Sequence, residues 1–362
     1  MNTLRKVLKN TPTYSVSYNK IMTNQIAIEK IKITLGIEED EVKKILEKAI
    51  AGGEFVDESD LKVWLEQRFL PNCILIDEIG YAKMCVDALK ILSTTAPTDY
   101  GSSRQRDMGQ LWADMTRGYL GELACLKFFE KNGIEATLGH EAGALQQYLP
   151  MDIHNIIQKD GTTREPKIKI GIKTIKWNGI WMDIPGKQFD HSDIQILVKV
   201  GAGRNHLFSF FKGLSVFKDK VLKKGVEVGS LSAKESDDLY SRLPNFKPIP
   251  AYVVGFARKD QVYSLLPYEG KRGRIHFNVT SWNGKISEGD LEKIKLKENV
   301  VGDVNFAGIG EFAHDSGYLF NAGKLHWKSD GMKMEKQILP KKLKIPNHPK
   351  LQQLNWKKQW LA

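Results

Sequence analysis

At 362 residues the chain exceeds what one hydrophobic core usually serves, which favours two or three domains. Hydrophobic residues make up 41% and charged residues 27%, and no apolar run approaches the ~20 residues that cross a bilayer, so disorder and a membrane-spanning helix are excluded and a soluble globular protein is expected. The net charge of +11 suits a polyanionic partner.

The opening MNTLRKVLKNTPTYS is basic but lacks an apolar stretch behind it, so no secretory signal is expected. Cys73, Cys85 and Cys125 follow no zinc-ligand spacing and sit in apolar surroundings, as buried reduced thiols of a cytoplasmic protein would. Residues 1–100 hold 13 basic and 15 acidic side chains, a balance of −2, so the remainder carries +13. Residues 336–362 contain seven lysines and no acid. A polyanion is therefore expected on the later two-thirds, with the first third as scaffold or dimerisation surface.

Residues 24–95 read mainly as helices: NQIAIEKIKITLGI, then EEDEVKKILEKAIAGG with acids at its start and Gly52-Gly53 at its end, then DESDLKVWLEQRFL. The turn formers APTDYGSS at 96–103 mark a boundary. A longer amphipathic helix from about 104 to 132 follows, stopped by Gly133. The period then changes to alternation. YLPMDIHNII and KIKIGIKTIKW are strand-like runs joined by QKDGTTREP, whose Asp160-Gly161 signals a hairpin. DIQILVKV (193–200) reads as a strand covered on both faces, and HLFSFFKGLSVF as another strand. From 251 onward AYVVGFARK, QVYSLLPY and RIHFNVTSW predict a mainly β segment with a basic tail. The expected organisation is a helical N-terminal domain (1–100), an α/β (α+β) core (101–250) and a β-rich, basic region contacting DNA (251–362).

In the helix RGYLGELACLKFF, Leu120, Leu123, Ala124 and Phe128 form a buried stripe, and Glu122 lies off it on a side shared with Gly118 and Cys125. Pro150-Met151-Asp152 opens a strand. In the next run Ile168, Ile170 and Ile172 alternate with Lys167, Lys169, Gly171 and Lys173, which gives one apolar face and one presenting Lys173. A carboxylate and an ammonium converging on a sheet edge suit phosphodiester hydrolysis. The carboxylate holds a divalent cation against the phosphate, and the lysine orients or deprotonates the attacking water. An edge hairpin with solvated lysines is the plainer alternative.

The succession Gly118-Tyr-Leu-Gly-Glu122, Pro150-Met-Asp152, Ile170-Gly-Ile-Lys173 and Asp193-Ile-Gln-Ile-Leu-Val resembles the PD-(D/E)xK nuclease core of type II restriction endonucleases and Holliday junction resolvases, over about residues 104–215. The resemblance implies a mixed sheet flanked by helices. It makes Asp152 the main metal ligand, Lys173 the catalytic lysine, Glu122 a carboxylate holding Mg²⁺ through water, and the carbonyl of Ile172 a backbone ligand.

One position departs from the motif: Gly171 stands where an acidic ligand is expected. Three explanations are open. The carboxylate has migrated, with Glu122 leading and Asp183 a further candidate; the glycine inactivates the enzyme; or the register is that of Glu165-Pro166-Lys167. The last ranks lowest because Pro166 falls in a turn and removes a ladder donor.

Loops offering phosphate and base contacts are Lys187-Gln188, Arg204-Asn205-His206 and Lys271-Arg272-Gly273-Arg274, with Lys350, Trp356, Lys357, Lys358 and Trp360 in the tail. His140, His154, His191 and His206 are too scattered for a zinc site, with His154 at most a neighbour of the metal shell. The absence of GxxxxGK[ST] and of GxGxxG after a strand removes support for ATP-driven or dinucleotide chemistry. The expected protein is a Mg²⁺-dependent, sequence-specific endonuclease acting on double-stranded DNA as a homodimer. The alternatives are a junction resolvase or a DNA-binding protein with an inactivated site.

Overall fold

The computed structural model describes residues 21, 24–92, 108–139, 152–166, 168–185, 192–258, 267–269, 275–277, 284–286, 303–306, 310–313 and 317–327. Helix α1 (Gln25–Leu35) starts where the Asn24 side chain accepts the Ala27 N–H, and α2 (Glu39–Ala51) has three acids in its first turn. Helix α3 (Glu58–Val63) is capped by Asp57 and runs into a π-helical turn at Trp64–Phe69. Strand β1 (Cys73–Ile76) then enters the sheet, inside a stretch that reads as helical from sequence. Helix α4 (Glu78–Leu92) and the long α5 (Met108–Glu130) follow. The chain leaves α5 through Gly133, whose φ of 75° is the left-handed conformation expected there.

Strands β2 (Glu135–Leu138), β3 (Ile153–Ile157) and β4 (Thr163–Arg164) form one small antiparallel sheet. The Asp160-Gly161 turn is present, with Gly161 at φ 81°, but it returns the chain onto the two-residue β4. Strand β5 (Ile170–Lys176) is therefore not the hairpin partner of β3. It forms the edge of the central sheet, whose order is β1-β8-β7-β5, with β7 at Ile194–Val200 and β8 at Ile249–Arg258. Strands β5 and β7 are parallel while β7/β8 and β8/β1 are antiparallel, so the fold is of the α+β class with a mixed sheet. Strand β6 (Trp181–Pro185) pairs with β14 (Gly317–Asn321), which also pairs with β11 (Gly284–Ile286).

All seven residues of β7 are buried, as a strand covered on both faces requires. Ile194, Ile196, Val198 and Val200 face a core shared with α4 and α5, whereas Leu197 faces a second core built with α1–α3 and β6. Lys199 shares the second face and is buried against Glu54, its Nζ 2.6 Å from Oε1. Trp64 Nε1 and Tyr252 OH both donate to Glu54 Oε2 at 3.0 Å, so each carboxylate oxygen is engaged.

The aromatic run after β7 is a helix, α6 (Arg204–Gly213), and not the strand that its β-forming residues suggest. Phe210 packs on Tyr81 and Trp112 at ring-centroid distances of 5.9 and 6.1 Å, so tertiary packing overrides propensity. A further π turn (Phe217–Leu222) and helices α7 (Lys223–Glu227) and α8 (Ala233–Arg242) complete this excursion before β8. The short strands β9 (Pro267–Glu269), β10 (Ile275–Phe277), β12 (Asp303–Phe306) and β13 (Gly310–Ala313) form a separate sheet.

Candidate functional site

Helix α5 crosses the central sheet at β5, and the approach is set by Gly121. A Cβ there would lie 1.8 Å from Thr174 Oγ1, a distance no side chain survives. The Thr174 hydroxyl in turn donates to the Gly118 carbonyl at 3.2 Å. Gly121 thus lets the helix sit against β5, and Glu122, next in sequence, is half-buried beside that contact.

Asp152 immediately precedes β3 and joins the small sheet to the outer edge of β5. Its N–H donates to the Ile170 carbonyl at 2.9 Å, and its Oδ2 accepts the Ile172 N–H. Its own carbonyl accepts the Gly139 N–H at 3.0 Å, tying it also to the chain after β2. Because N–H and C=O of one strand residue point to the same side, the Ile172 carbonyl emerges on the edge where the Asp152 carboxylate lies. Ile172 itself is buried against α5.

Alternation puts Gly171, Lys173 and Ile175 on the opposite face, where Ile175 packs on the core of the N-terminal helices. Lys173 is half-buried there. On the α5 side lies the fully buried thiol of Cys125. Its pKa is pushed well above the ordinary value by burial first, then by the charges of Asp152 and Glu122. Asp152 and Glu122 thus lie near enough to Cys125 for their charge to act on it, whereas Lys173 belongs to the other face of β5.

Among the described residues no group of three or more His, Cys, Asp or Glu side chains gathers as a ready-made metal cage. The available donors are two carboxylates and a backbone carbonyl. All are oxygens, the donor type a hard divalent cation takes.

The chain matches no protein-family model, no curated protein and no solved structure.

Arg204 and Asn205 are exposed in the first turn of α6, not in a loop leading to a strand. Neighbouring His206 accepts the Gly203 N–H on Nδ1 at 3.0 Å and is held below its ordinary pKa by burial. His154 is exposed on β3, and Glu165 is exposed beside a buried Pro166 ahead of β5. Asp183 lies on β6 opposite Leu319 of β14. Lys187, Gln188, Lys271, Arg272, Arg274, His140, His191 and the basic tail from 336 lie outside the described residues. Among the described residues no helix is long and apolar enough to cross a membrane.

Gln195 of β7 is the site neighbour that sequence reading does not single out. It pairs with Gly171 in the parallel register and is 2% exposed. The signal for it is indirect: a polar residue within an apolar strand run, and a glycine where the motif wants a side chain.

Proposed function

We propose that the chain is a Mg²⁺-dependent endonuclease of the PD-(D/E)xK type that cuts double-stranded DNA at a specific sequence, as type II restriction enzymes do, and acts as a homodimer in the cytoplasm. One observation carries the reading: Asp152 is hydrogen-bonded through both its backbone and its carboxylate to the strand that bears Lys173. That anchoring holds an acid beside the edge that bears the Ile172 carbonyl, on the strand that also carries Lys173. The helix-then-strands order and the parallel β5/β7 pair agree with it.

In this reading Asp152, the Ile172 carbonyl and Glu122 would hold the cation. When bound, Mg²⁺ offsets charge on the scissile phosphate and acidifies water. Lys173 Nζ orients the attacking water and stabilises the negative charge that grows on the phosphate. The buried strand edge keeps these groups in place, and positioning is the larger part of such catalysis. One site cuts one strand, so a twofold dimer matches a palindromic target. The +13 carried beyond residue 100 supplies attraction for the phosphate backbone.

Incubation with plasmid and genomic DNA in Mg²⁺ tests this. Discrete fragments are expected from the native chain and none from Asp152→Asn, which still binds DNA. Smearing, or cleavage of branched DNA only, would overturn the restriction reading. Binding without cleavage by the native chain would favour the second reading, an inactivated nuclease, for which the glycine at 171 is the motivating observation.

A further inference from the structure

We infer that the helical excursion between β7 and β8 (Arg204–Arg242) is a docking surface for the phosphate backbone of duplex DNA, with Lys220, Lys223 and Lys224 as its phosphate contacts. The inference rests on the DNA-binding part of the reading above, not on its metal chemistry, and it names where the backbone is gripped.

The excursion adds little to the folded core. Between Arg204 and Arg242 only Ser209 and Leu222 are buried. It is braced instead by its own contacts. Phe211 stacks on Phe217 at 5.5 Å, Tyr240 OH donates to the Lys212 carbonyl at 3.1 Å, and Lys212 Nζ donates to the Leu243 carbonyl at 2.9 Å. A built segment that buries so little of itself presents most of its surface outward.

What it presents is positive charge. From Lys218 to Lys224 the sequence KDKVLKK holds four lysines against one acid, and all four lysines are exposed. Lys223 and Lys224 follow Lys220 by three and four residues, the spacing that sets side chains on one side of a helix. Lys218 Nζ is held 4.9 Å from the Tyr240 ring centroid and Lys224 meets Glu227 at 3.0 Å. Lys220 and Lys223 form no ion pair among the described residues. The nearby Glu235 is engaged at the start of α8, where it accepts the Ser232 N–H at 2.8 Å.

Duplex DNA suits this surface better than the other occupants. It carries a negative charge every ~1.7 Å along its axis, and lysine meets phosphate as a point charge without reading bases. A second copy in a twofold contact would set lysines against lysines. A helix lying in a bilayer interface turns its bulky apolar residues to the lipid, whereas here Phe217 is half-buried against Phe211 and Leu222 is buried. The excursion leaves the sheet after Val200, beside Lys176, while Asp152 is bonded to Ile170 at the other end of β5. At ~3.3 Å per residue these ends lie about 20 Å apart, so the lysines grip backbone away from the phosphate at Asp152.

The test is binding of the full-length protein to a fluorescein-labelled duplex of about 30 base pairs in EDTA, so that cleavage plays no part, followed by anisotropy from about 50 to 200 mM KCl. Lys220→Gln/Lys223→Gln/Lys224→Gln is expected to weaken binding roughly ten-fold or more at about 0.1 M salt. Its salt slope should fall by roughly 2–3, about 0.9 for each lysine that meets a phosphate. Lys44→Gln/Lys62→Gln/Lys83→Gln removes the same charge from exposed positions in the first third of the chain and should leave both quantities near native. If the two triple variants lose affinity alike, the lysines act only through net charge and the surface assignment falls. If the native chain binds with a steep salt slope and the excursion variant binds identically, that assignment falls while the DNA reading stands. If the native chain binds no duplex, the DNA reading falls with it. The exposed Phe208 and Leu214 of the excursion motivate a lipid control. Pelleting of the native chain but not the excursion variant with phosphatidylserine vesicles, with equal duplex binding by both, would assign the surface to a membrane instead. Should the triple variant fail to fold, Lys220→Gln/Lys223→Gln, which keeps the Lys224–Glu227 pair, decides the matter through a slope change of about 1–2.

Discussion

A cysteine buried beside two carboxylates is a poor nucleophile, and this has a simple experimental face. Cys125 is raised by burial and by Asp152 and Glu122, burial raises Cys73 strongly, and burial lifts Cys85 to about 11. At pH 8 all three thiols are neutral in the folded protein. A disulfide exchange reagent should find none of them until denaturant is added, and then find three. Fast labelling of Cys125 in the native chain would mean that the α5/β5 contact beside Glu122 is open. Gly171 gives a second residue-scale expectation. Alanine there displaces only the terminal amide of the flexible Gln195 side chain, so the cost is expected at or below the low end of the ~1–3 kcal/mol typical of overpacking, with a correspondingly small fall in melting temperature. Adding Gln195→Ala should return part of that loss, a non-additivity measurable as a double-mutant cycle.

At the scale of elements, β7 carries both an apolar strand signature and a buried cation. The Glu54 carboxyl is raised by burial, but Lys199, Arg68 and the hydrogen bonds from Lys199 and Trp64 outweigh this and hold it below its ordinary 4.5. A folded-state value below the unfolded one means that the group stabilises the fold fully above about pH 4.5, and that this stability is lost as the pH falls through the lower folded value. Lys199→Met leaves the carboxylate buried without its cation and should cost about 3–5 kcal/mol at neutral pH, with a smaller loss in the Glu54→Gln/Lys199→Met pair. Denaturant titration at pH 7 and pH 3.5 checks both, since the penalty of Lys199→Met should shrink at the lower pH. How far such features can be read from sequence depends on the range of the interaction that decides them. Helices α2 and α5, the Gly133 stop and the strand β7 follow from local periodicity and capping. The strand CILI at 73–76 and the helix at 204–213 do not. The first gains its pairing from β8, about 180 residues away, and the second its conformation from Tyr81 and Trp112. The candidate site divides the same way. Asp152 and Lys173 stand out by motif, whereas Gln195 meets Gly171 only because β5 and β7 are parallel neighbours, which no local pattern encodes.

At the scale of the molecule, the central question is whether the first hundred residues are an attachment or part of the core. Ile28, Val42, Leu46 and Trp64 share one buried cluster with Met182, Leu197 and Tyr252, while Ile74, Ile76, Tyr81 and Cys85 share the other with Leu120, Ile170 and Ile196. Both faces of the central sheet are thus covered in part by the N-terminal segment, and β1 closes the side of β8 away from β7. Arg68, 1% exposed, adds a polar tie, donating to the Val254 and Ala322 carbonyls at 3.2 and 2.8 Å. Removing residues 1–95 would expose the apolar side chains of both clusters, unpair an edge of β8 and leave Lys199 without Glu54, losses that together far exceed the ~5–15 kcal/mol by which folded domains are stable. A chain of residues 96–362 should therefore fail to give a cooperative transition. In the full-length protein, denaturation followed by tryptophan fluorescence, which samples Trp64 in the first segment and Trp112 and Trp181 beyond it, should coincide with the loss of far-ultraviolet circular dichroism. Two separated transitions, or a folded 96–362 chain, would mean that the N-terminal helices are an independent unit docked on a self-sufficient sheet. The same measurement bears on the proposed chemistry, because β5, which carries Lys173, lies in the sheet that residues 24–92 cover in part.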